Sequence, residues 1–516
     1  MGSGILNVAV SGLNAAQVAI QTASHNIANA STDGYNRQTV VQTTNTPNFT
    51  GQGFIGSGTN VSTVKRVYSD FLNNQALSAQ TNVSQLQSYS DQISQIDNLL
   101  ADPNAGLSPG LDGFFSALQQ LSSSPSSVPA RQAVMSAAQA LAGRFNSLDQ
   151  QLSSLREGVN TQINTEVGSI NSLVTQVADL NQRIILAQAA GAGQPANDLI
   201  DQRDSVIAQL NKEVRISKQV ETDGTYSIFF GNGQPLVAGS QTYTLTAKPS
   251  PEDMSQIEVG LKSPSGQNIQ LPESLIDGGK LGGLLQFRSQ TLDTAQNQLG
   301  RVATALVSTF NTQHRLGQDL TGQMGGDFFA PISPQVLGAP TNVGTGVVSA
   351  TIPTSDYQVD YGAGGYTITR LSDNTSLGTF SQLPQTVEGV QISLATGQPA
   401  VGDRFIVSPA NDPGKRVAAY GSNTGGATLD STASNIQSLT DSDYRLSFIN
   451  GGVTLTRLSD NQVWTASGQN QAANLKTLMA NAGPQGFILN ISGTAQTGDS
   501  FLIRPTRSAA RDVKLQ

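Results

Sequence analysis

The chain has 516 residues, long enough for several domains with sizeable cores. Charged residues make up 12% of it, half the ~25% of an ordinary soluble protein, and the net charge of −8 argues against nucleic-acid binding, which needs a basic patch. Without cysteine there is no disulfide framework and no thiolate metal site, and without a run of 18 apolar residues nothing inserts into a membrane.

From Ser3 to about Asn29 there is no Asp, Glu, Lys or Arg, yet the spacing is helical. Leu6, Leu13, Ile20 and Ile27 recur every seven residues, with Ala9, Ala16, Ala23 and Ala30 three places after each. This is a heptad seam of large and small apolar residues. The other face carries Asn7, Asn14, Gln17, Gln21 and Asn26, which can hydrogen-bond to neighbours but supply little charged solvation. The pattern predicts an assembly helix that needs partners on more than one side. It stops at the turn Ser31-Thr32-Asp33-Gly34, and Thr39-Val40-Val41-Gln42 reads as extended chain. Ala28-Asn29-Ala30 has the form of a signal-peptidase site. No basic residue precedes it, however, and the apolar stretch is interrupted by Asn, Gln and Ser, so no cleavable signal is expected.

The run Ser11-Gly12-Leu13, Ala15-Ala16, Asn26-Ile27-Ala28-Asn29, Thr32-Asp33-Gly34-Tyr35 resembles the N-terminal motif of the axial proteins of the bacterial flagellum. These are the rod, hook and hook-associated proteins. Asn36-Arg37-Gln38 after the tyrosine is most similar to the hook-associated branch at the hook–filament junction. The resemblance implies self-association in a helical assembly outside the cell, with hook protein and a second junction protein as neighbours. It also implies export without a cleaved signal by the flagellar type III apparatus, with a cognate export chaperone.

Further along, Gly51-Gln52-Gly53-Phe54-Ile55-Gly56 matches the dinucleotide-binding glycine pattern, but Ser57-Gly58-Thr59-Asn60 is a poor helix start, and a loop is expected. Val61 to Val67 alternates as a strand. Helix resumes at about Ser69 with Leu72, Ala79, Leu86, Ile93 and Leu100 in steps of seven; a shorter segment holds Leu111, Phe114, Phe115, Leu118 and Leu121. The longest pattern follows. Leu141, Phe145, Leu148, Leu152, Leu155 and Val159 alternate by four and three, and Ile163, Val167, Ile170, Val174, Val177 and Ile184 resume after a one-place shift. One continuous helix from about Ala130 to Ala189 is predicted, with Asn181 at a core position where a polar side chain can set register. Asn197-Asp198-Leu199-Ile200-Asp201-Gln202-Arg203-Asp204 opens the next helix. Asn197 is expected to cap it and Asp198 and Asp201 to face its dipole; the string is also similar to one in the hook-associated branch. Val214 to Leu275 has strand alternation, and Gly282 to about His314 returns to heptads at Leu292, Ala295, Leu299, Val302, Leu306 and Phe310. Asn311, His314, Gly317, Asp319, Gly322 and Gly325 to Phe329 add to the resemblance.

Beyond Pro331 an internal repeat begins. Ser355-Asp356-Tyr357 and Leu371-Ser372-Asp373-Asn374 recur 87 places later as Ser442-Asp443-Tyr444 and Leu458-Ser459-Asp460-Asn461. Gly402-Asp403-Arg404-Phe405 recurs 96 places on as Gly498-Asp499-Ser500-Phe501, so the second copy holds about nine extra residues. Two related all-β modules are expected, and their shared Asp residues are read as turn formers, since no loop has the ligand spacing of a calcium site.

The fold class expected is α+β multidomain: a long heptad-patterned helical bundle with inserted all-β domains and an N-terminal assembly helix. The expected boundaries are 1–69 for the assembly helix and extended segment, 70–212 for the bundle and 213–280 for an inserted β subdomain. Residues 281–330 are the return helix, 331–430 the first β module and 431–516 the second. His25 and His314 do not make a zinc cluster, and no phosphate loop, nucleophile elbow or Ser/His/Asp set stands out, so no catalytic residue, cofactor or metal is expected. The assembly seam comprises Leu6, Leu13, Ile20, Ile27, Ala9, Ala16 and Ala23. The family motif comprises Ser11, Gly12, Leu13, Asn26, Ile27, Ala28, Asn29, Thr32, Gly34, Tyr35, Arg37 and Gln38. The reading is a structural subunit at the hook–filament junction. The alternatives are another axial subunit, hook or filament, and a surface adhesin with ligand-binding β modules. In the family a C-terminal heptad helix pairs with the N-terminal one; no such stretch follows Phe501, so the expectation is a native product that continues further.

Overall fold

The computed structural model describes residues 2–49, 51, 53–100, 106–250, 253–315, 317, 319, 325–338, 340–351, 357–370, 375–387, 390–407, 417–419, 428–432, 438–483 and 485–516. Two compact units are formed, one from Met1–Gln92, Val159–Lys248 and Ile257–Gln286, the other from Ile93–Gly158, Pro249–Gln256 and Phe287–Gln516. Both combine helices with antiparallel sheets, so the architecture is α+β and multidomain.

The first unit opens with α1 (Gly2–Ala28), followed by β1 (Gln38–Thr44), β2 (Asn48–Phe49), β3 (Phe54–Ile55) and β4 (Thr59–Arg66). β1 and β4 make a long hairpin, Gln38 opposite Arg66 and Thr44 opposite Thr59, and β2 and β3 close its tip. Gly51 and Gly53 thus serve the tip, at φ +83° and +149°, where a side chain would be strained. The glycine pattern is a turn device with no helix behind it.

Helices α2 (Asp70–Leu100), α3 (Leu107–Ser123), α4 (Val128–Ala190) and α5 (Asn197–Glu213) follow. α4 runs unbroken for 63 residues, about 95 Å at 1.5 Å per residue. Its heptad positions from Leu141 to Ile184 are buried through the one-place shift, apart from Leu155, which is half-buried while Arg156 beside it is buried. Asn181 has a different role from the one expected. Fully buried, it donates to the carbonyls of Tyr226 and Gly239 at 2.8 and 2.7 Å and accepts from Tyr226 N and Arg203 Nη1 at 3.1 and 2.9 Å. It fastens the inserted β subdomain to the helix. That subdomain is the meander β5 (Ile216–Val220), β6 (Tyr226–Phe230), β7 (Gln234–Ala238) and β8 (Gln241–Thr242), with a second sheet of β9 (Thr244–Pro249), β10 (Ile257–Lys262) and β11 (Asn268–Gln270). The return segment is α6 (Gly279–Gln286), a π-helical turn at Phe287–Leu292 and α7 (Asp293–Arg315).

In the second unit Phe114 of α3 is sealed among Phe310, Phe328 and Phe329. Asn311 holds that corner through Phe328 N, Phe329 N and Phe329 O, at 3.0, 2.9 and 2.7 Å. This gives a structural reason for the polar residue in a stretch that resembles the axial family. Arg156, Asp293, Arg504, Arg507, Asp443 and Asp253 form a buried ion network, with Arg156–Asp293 at 2.5 Å and Arg507–Asp443 at 2.8 Å. Burial alone would raise the Asp293 pKa, but Arg507 and Arg156 hold it at about 2. Gly300 of α7 lies against the chain between Arg504 and Arg507 of the network: a Cβ there would sit 1.7 Å from Thr506 O. Gly300→Ala is expected to destabilise by about 1–3 kcal/mol in denaturant unfolding. Gly143→Ala, with nothing within 4 Å of the new methyl, is expected to be neutral or mildly stabilising.

The repeats fold alike. The strands are β12 (Gln335–Gly338), β13 (Val347–Thr351), β14 (Tyr357–Gly362), β15 (Gly365–Arg370), β16 (Thr375–Phe380), β17 (Gln385–Val387), β18 (Val390–Thr396), β19 (Arg404–Val407), β20 (Val417–Ala419) and β21 (Thr428–Thr432). Then come β22 (Tyr444–Ile449), β23 (Gly452–Arg457), β24 (Gln462–Ser467), the helix α8 (Gln471–Ala482), β25 (Ile488–Ser492) and β26 (Ser500–Arg504). The order β16-β15-β14-β19 is repeated as β24-β23-β22-β26. The register repeats too: Tyr357 faces Val407 as Tyr444 faces Ile503, and Val359 faces Phe405 as Leu446 faces Phe501. Asp356, Asp373 and Asn374 lie outside the described residues. Asp403 and Asp499 are turn formers, accepting from Ala400 N at 2.9 Å and Gln496 N at 2.8 Å. Asp443 is instead part of the ion network.

Two features differ from expectation. The nine extra residues fall where α8 lies, capped by Asn470 on Ala473 N at 3.0 Å and packed through Leu475 and Leu478, so the second module is not all-β. The strands are also exchanged. β12 and β13 precede the first module in sequence but pair with β26 and β25 of the second, whereas β20 and β21 pair with β19 and β18 of the first. The second module therefore includes residues 335–351, and 357–432 is an insertion between its parts; the expected division near 430 does not separate them.

Candidate assembly surface

The heptad seam of α1 points away from the rest of the first unit. Leu6, Leu13, Ile20 and Ile27 are 65%, 69%, 68% and 77% exposed, and Ala9, Ala16 and Ala23 between them are exposed as well. The inward face is small and polar. Ala15 is buried against the hairpin, and Ser11 Oγ, which donates to Val8 O at 2.7 Å, accepts from Thr59 N at 3.1 Å. Gly58 is required there, because a Cβ would lie 2.1 Å from Ser11 Oγ. Of the polar residues expected opposite the seam, Asn26 is engaged, whereas Asn7, Asn14, Gln17 and Gln21 are exposed. Gly12 is exposed with open space around it. An ordinary amphipathic surface helix buries its large apolar stripe; this one presents it.

The motif residues after the seam anchor the helix to its own subunit. Asn26 donates to Gln38 O at 2.9 Å and accepts from Gln38 N at 2.8 Å and Tyr35 Oη at 2.7 Å, so its amide closes the turn between helix and strand. Asn29 donates to His25 O at 3.0 Å and accepts from Thr32 Oγ1 at 3.3 Å. Gly34, at φ +79°, packs against Ser205, where an added Cβ would lie 3.1 Å from the serine Cβ. The Tyr35 ring meets His25 edge-on at 5.6 Å. Ile27 and Ala28 are exposed at the helix end, and Arg37 is exposed with its carbonyl accepting from Val67 N at 2.8 Å.

Sequence reasoning mistook the receiving surface for a helix cap. The N-cap of α5 is Ala196, with no side-chain bond. Asn197 instead donates to Val64 O at 2.8 Å and Gln38 Oε1 at 3.1 Å, and Asp198 accepts from Gln38 Nε2 at 2.7 Å and lies 3.2 Å from His25 Nε2. Asp201 accepts from Asn36 N and Nδ2 at 2.9 and 2.8 Å and from Arg66 Nη1 at 2.6 Å, and Arg66 also reaches Asp204 at 2.8 Å. Burial works against the Arg66 charge, but the two carboxylates outweigh it and hold the pKa above the usual value. Burial, with Asp198 and Asp201 behind it, raises the Tyr35 pKa. The sequence signal was the shared string Asn197 to Asp204, whose acids sit on successive turns at 198, 201 and 204. Among the described residues no group of three His, Cys, Asp or Glu could hold a metal, and no helix is long and apolar enough to cross a membrane.

Comparison with known proteins places these features. Residues 93–329 match the family described as flagellar hook-associated protein FlgK helical domain, residues 343–409 and 419–505 the flagellar hook-associated protein 1 D2-like domain, and residues 6–36 the flagella basal body rod protein family. Flagellar hook-associated protein 1 of Escherichia coli (strain K12) is 38% identical over 421 residues, covering 80% of this chain and 76% of that protein. The Bacillus subtilis (strain 168) protein of the same name is 28% identical over 355 residues, covering 63% of this chain and 69% of its own length. The structure of the flagellar hook junction protein FlgK from Burkholderia pseudomallei aligns with a TM-score of 0.50 at 25% identity, covering 85% of this chain and 89% of that one. A rod-type motif on α1, a FlgK helical domain and a D2-like domain occur here in one chain, which belongs to the flagellar hook-associated protein 1 family.

Proposed function

We propose that this chain is a mechanical subunit that joins hook to filament by helical self-assembly, with no catalytic role. The observation that carries the reading is the outward seam of α1. A narrow stripe of small and polar residues, Ser11, Ala15, His25 and Asn26, faces the hairpin and α5, while Leu6, Leu13, Ile20 and Ile27 are left exposed on an uncharged helix. Full burial of one such side chain is worth about 1.5–3 kcal/mol, so a stack of subunits that covers all four gains strongly. Outward seam residues hold subunits together, and the inward motif, Asn26, Tyr35, Gln38 and Asp201, sets the angle at which each subunit presents them. Hook protein and a second junction protein are the neighbours at the two ends of the stack. The protein reaches its place outside the cell through the flagellar export apparatus with a cognate chaperone. Immunogold labelling of flagellated cells tests this reading. A single band at the hook end is expected, whereas label along the filament or away from the flagellum would overturn it.

A further inference from the structure

One cluster in the first unit is not used by the assembly surface. Lys280, the second residue of α6, binds Glu213 Oε1 at 2.9 Å. The other oxygen of Glu213, at the end of α5, is sealed from solvent and has no hydrogen-bond partner. Against this carboxyl lies that of Glu166 from α4, half-buried. Two carboxyls thus share one ammonium, and the sealed oxygen is an acceptor without a donor unless Glu166 carries a proton. The backbone adds a mechanical link. Gly279, at φ +64°, rests on the last turn of α5 so closely that a Cβ would lie 2.4 Å from Glu213 C. Any displacement of Glu213 therefore reaches α6 directly. Nearby Arg215 is occupied by Asp277 at 2.9 Å and by Asn82 at 2.7 Å, and from α2 a neutral group, Ser88, reaches the Lys280 carbonyl at 3.1 Å.

We propose that Glu166, Glu213 and Lys280 form a proton-operated clasp that holds α6 to α4 and α5 in acidic medium and loosens as the pH rises through neutrality. Burial first, and then the Glu213 carboxylate, raise the Glu166 pKa to about 7, with Lys280 opposing. Burial also works against the Lys280 charge, but Glu213 and Glu166 keep its pKa above the usual value, so the ammonium persists across the range. The folded chain therefore keeps a proton that the unfolded chain loses near its ordinary pKa of 4.5. The contribution to stability is full below that value and is lost as pH rises through about 7. This is opposite in sign to an ordinary salt-bridged carboxylate.

The test is amide hydrogen exchange on α6, Leu281 to Gln286, in the full chain at pH 5.5 and 8.5, corrected for intrinsic rates. Protection in the wild type is expected to fall by about tenfold at the higher pH. Glu166→Gln, whose amide supplies a donor at every pH, is expected to keep the same protection at both. Equal wild-type protection at the two values, or an equal fall in Glu166→Gln, would overturn the clasp. Should Glu166→Gln fail to fold, the wild type decides the matter by its own ¹³C carboxyl titration: a Glu166 midpoint near 7 supports the proposal, and one near 4.5 refutes it.

Discussion

A Leu13→Asp chain is expected to fold and be exported, yet leave cells unable to swim. Leu13 is 69% exposed on α1 and makes no core contact that folding requires, so the change should move unfolding by no more than about 0.5 kcal/mol. In the proposed stack the same position would be covered by a neighbour. An unpaired carboxylate there forfeits the ~1.5–3 kcal/mol of the leucine and adds the desolvation of a charge, several kcal/mol more, at every subunit contact. The loss is multiplied around the assembly, so a graded defect is not expected. Thr367→Asp on β15, where the threonine shares a 2.9 Å hydroxyl contact with Thr379 on a module surface, should be much milder. Swimming assays, with a check for the secreted variant in the medium, separate failed assembly from failed export. Normal swimming of Leu13→Asp cells would refute the assembly role of the seam.

The second large effect comes from a substitution that the heptad pattern would recommend. Asn181→Leu completes the apolar stripe of α4, yet it is expected to destabilise the first unit by about 3–5 kcal/mol. Four hydrogen bonds end on that amide, and the leucine leaves two carbonyls, the Tyr226 N–H and one guanidinium N–H without partners in a dry site. Arg203 is 2% exposed, stacks on the Tyr226 ring at 3.4 Å and also donates to Gly224 O at 3.0 Å. Burial already lowers its pKa, and losing Asn181 makes its charge harder to keep. Urea unfolding of both chains measures the difference. An equal or higher midpoint for Asn181→Leu would show that Asn181 acts only through helix register.

These two positions show why the elements were easier to read than their partners. The heptad of α4, the absence of charge in α1 and the repeated anchors of the two modules are local patterns that one element carries by itself. The heptad of α2 marks the helix but not its buried face, since Leu72 and Leu86 are exposed while Thr81, Gln92 and Ile96 are buried. α8 was missed because Leu475, Leu478 and Ala482 form a short stripe inside a strand-rich region. The site was half legible. The string Asn197 to Asp204 stood out, but a carboxylate one turn into a helix suits the dipole and an ion pair equally well, and the arginine that decides, Arg66, is 135 positions from Asp201 in sequence.

By itself the sequence determined that the long segments of the first two thirds of the chain are helical, that the β modules are duplicated, and that α1 carries a large apolar seam without charge, because periodicity and composition act over a few turns of chain. The tertiary structure alone decided that the seam faces outward, that Asn181 serves a β subdomain, and that β12 and β13 belong to the later module. Each of these depends on pairing between residues far apart in the chain. Hydrogen-bond geometry and close packing select that pairing only once the elements meet.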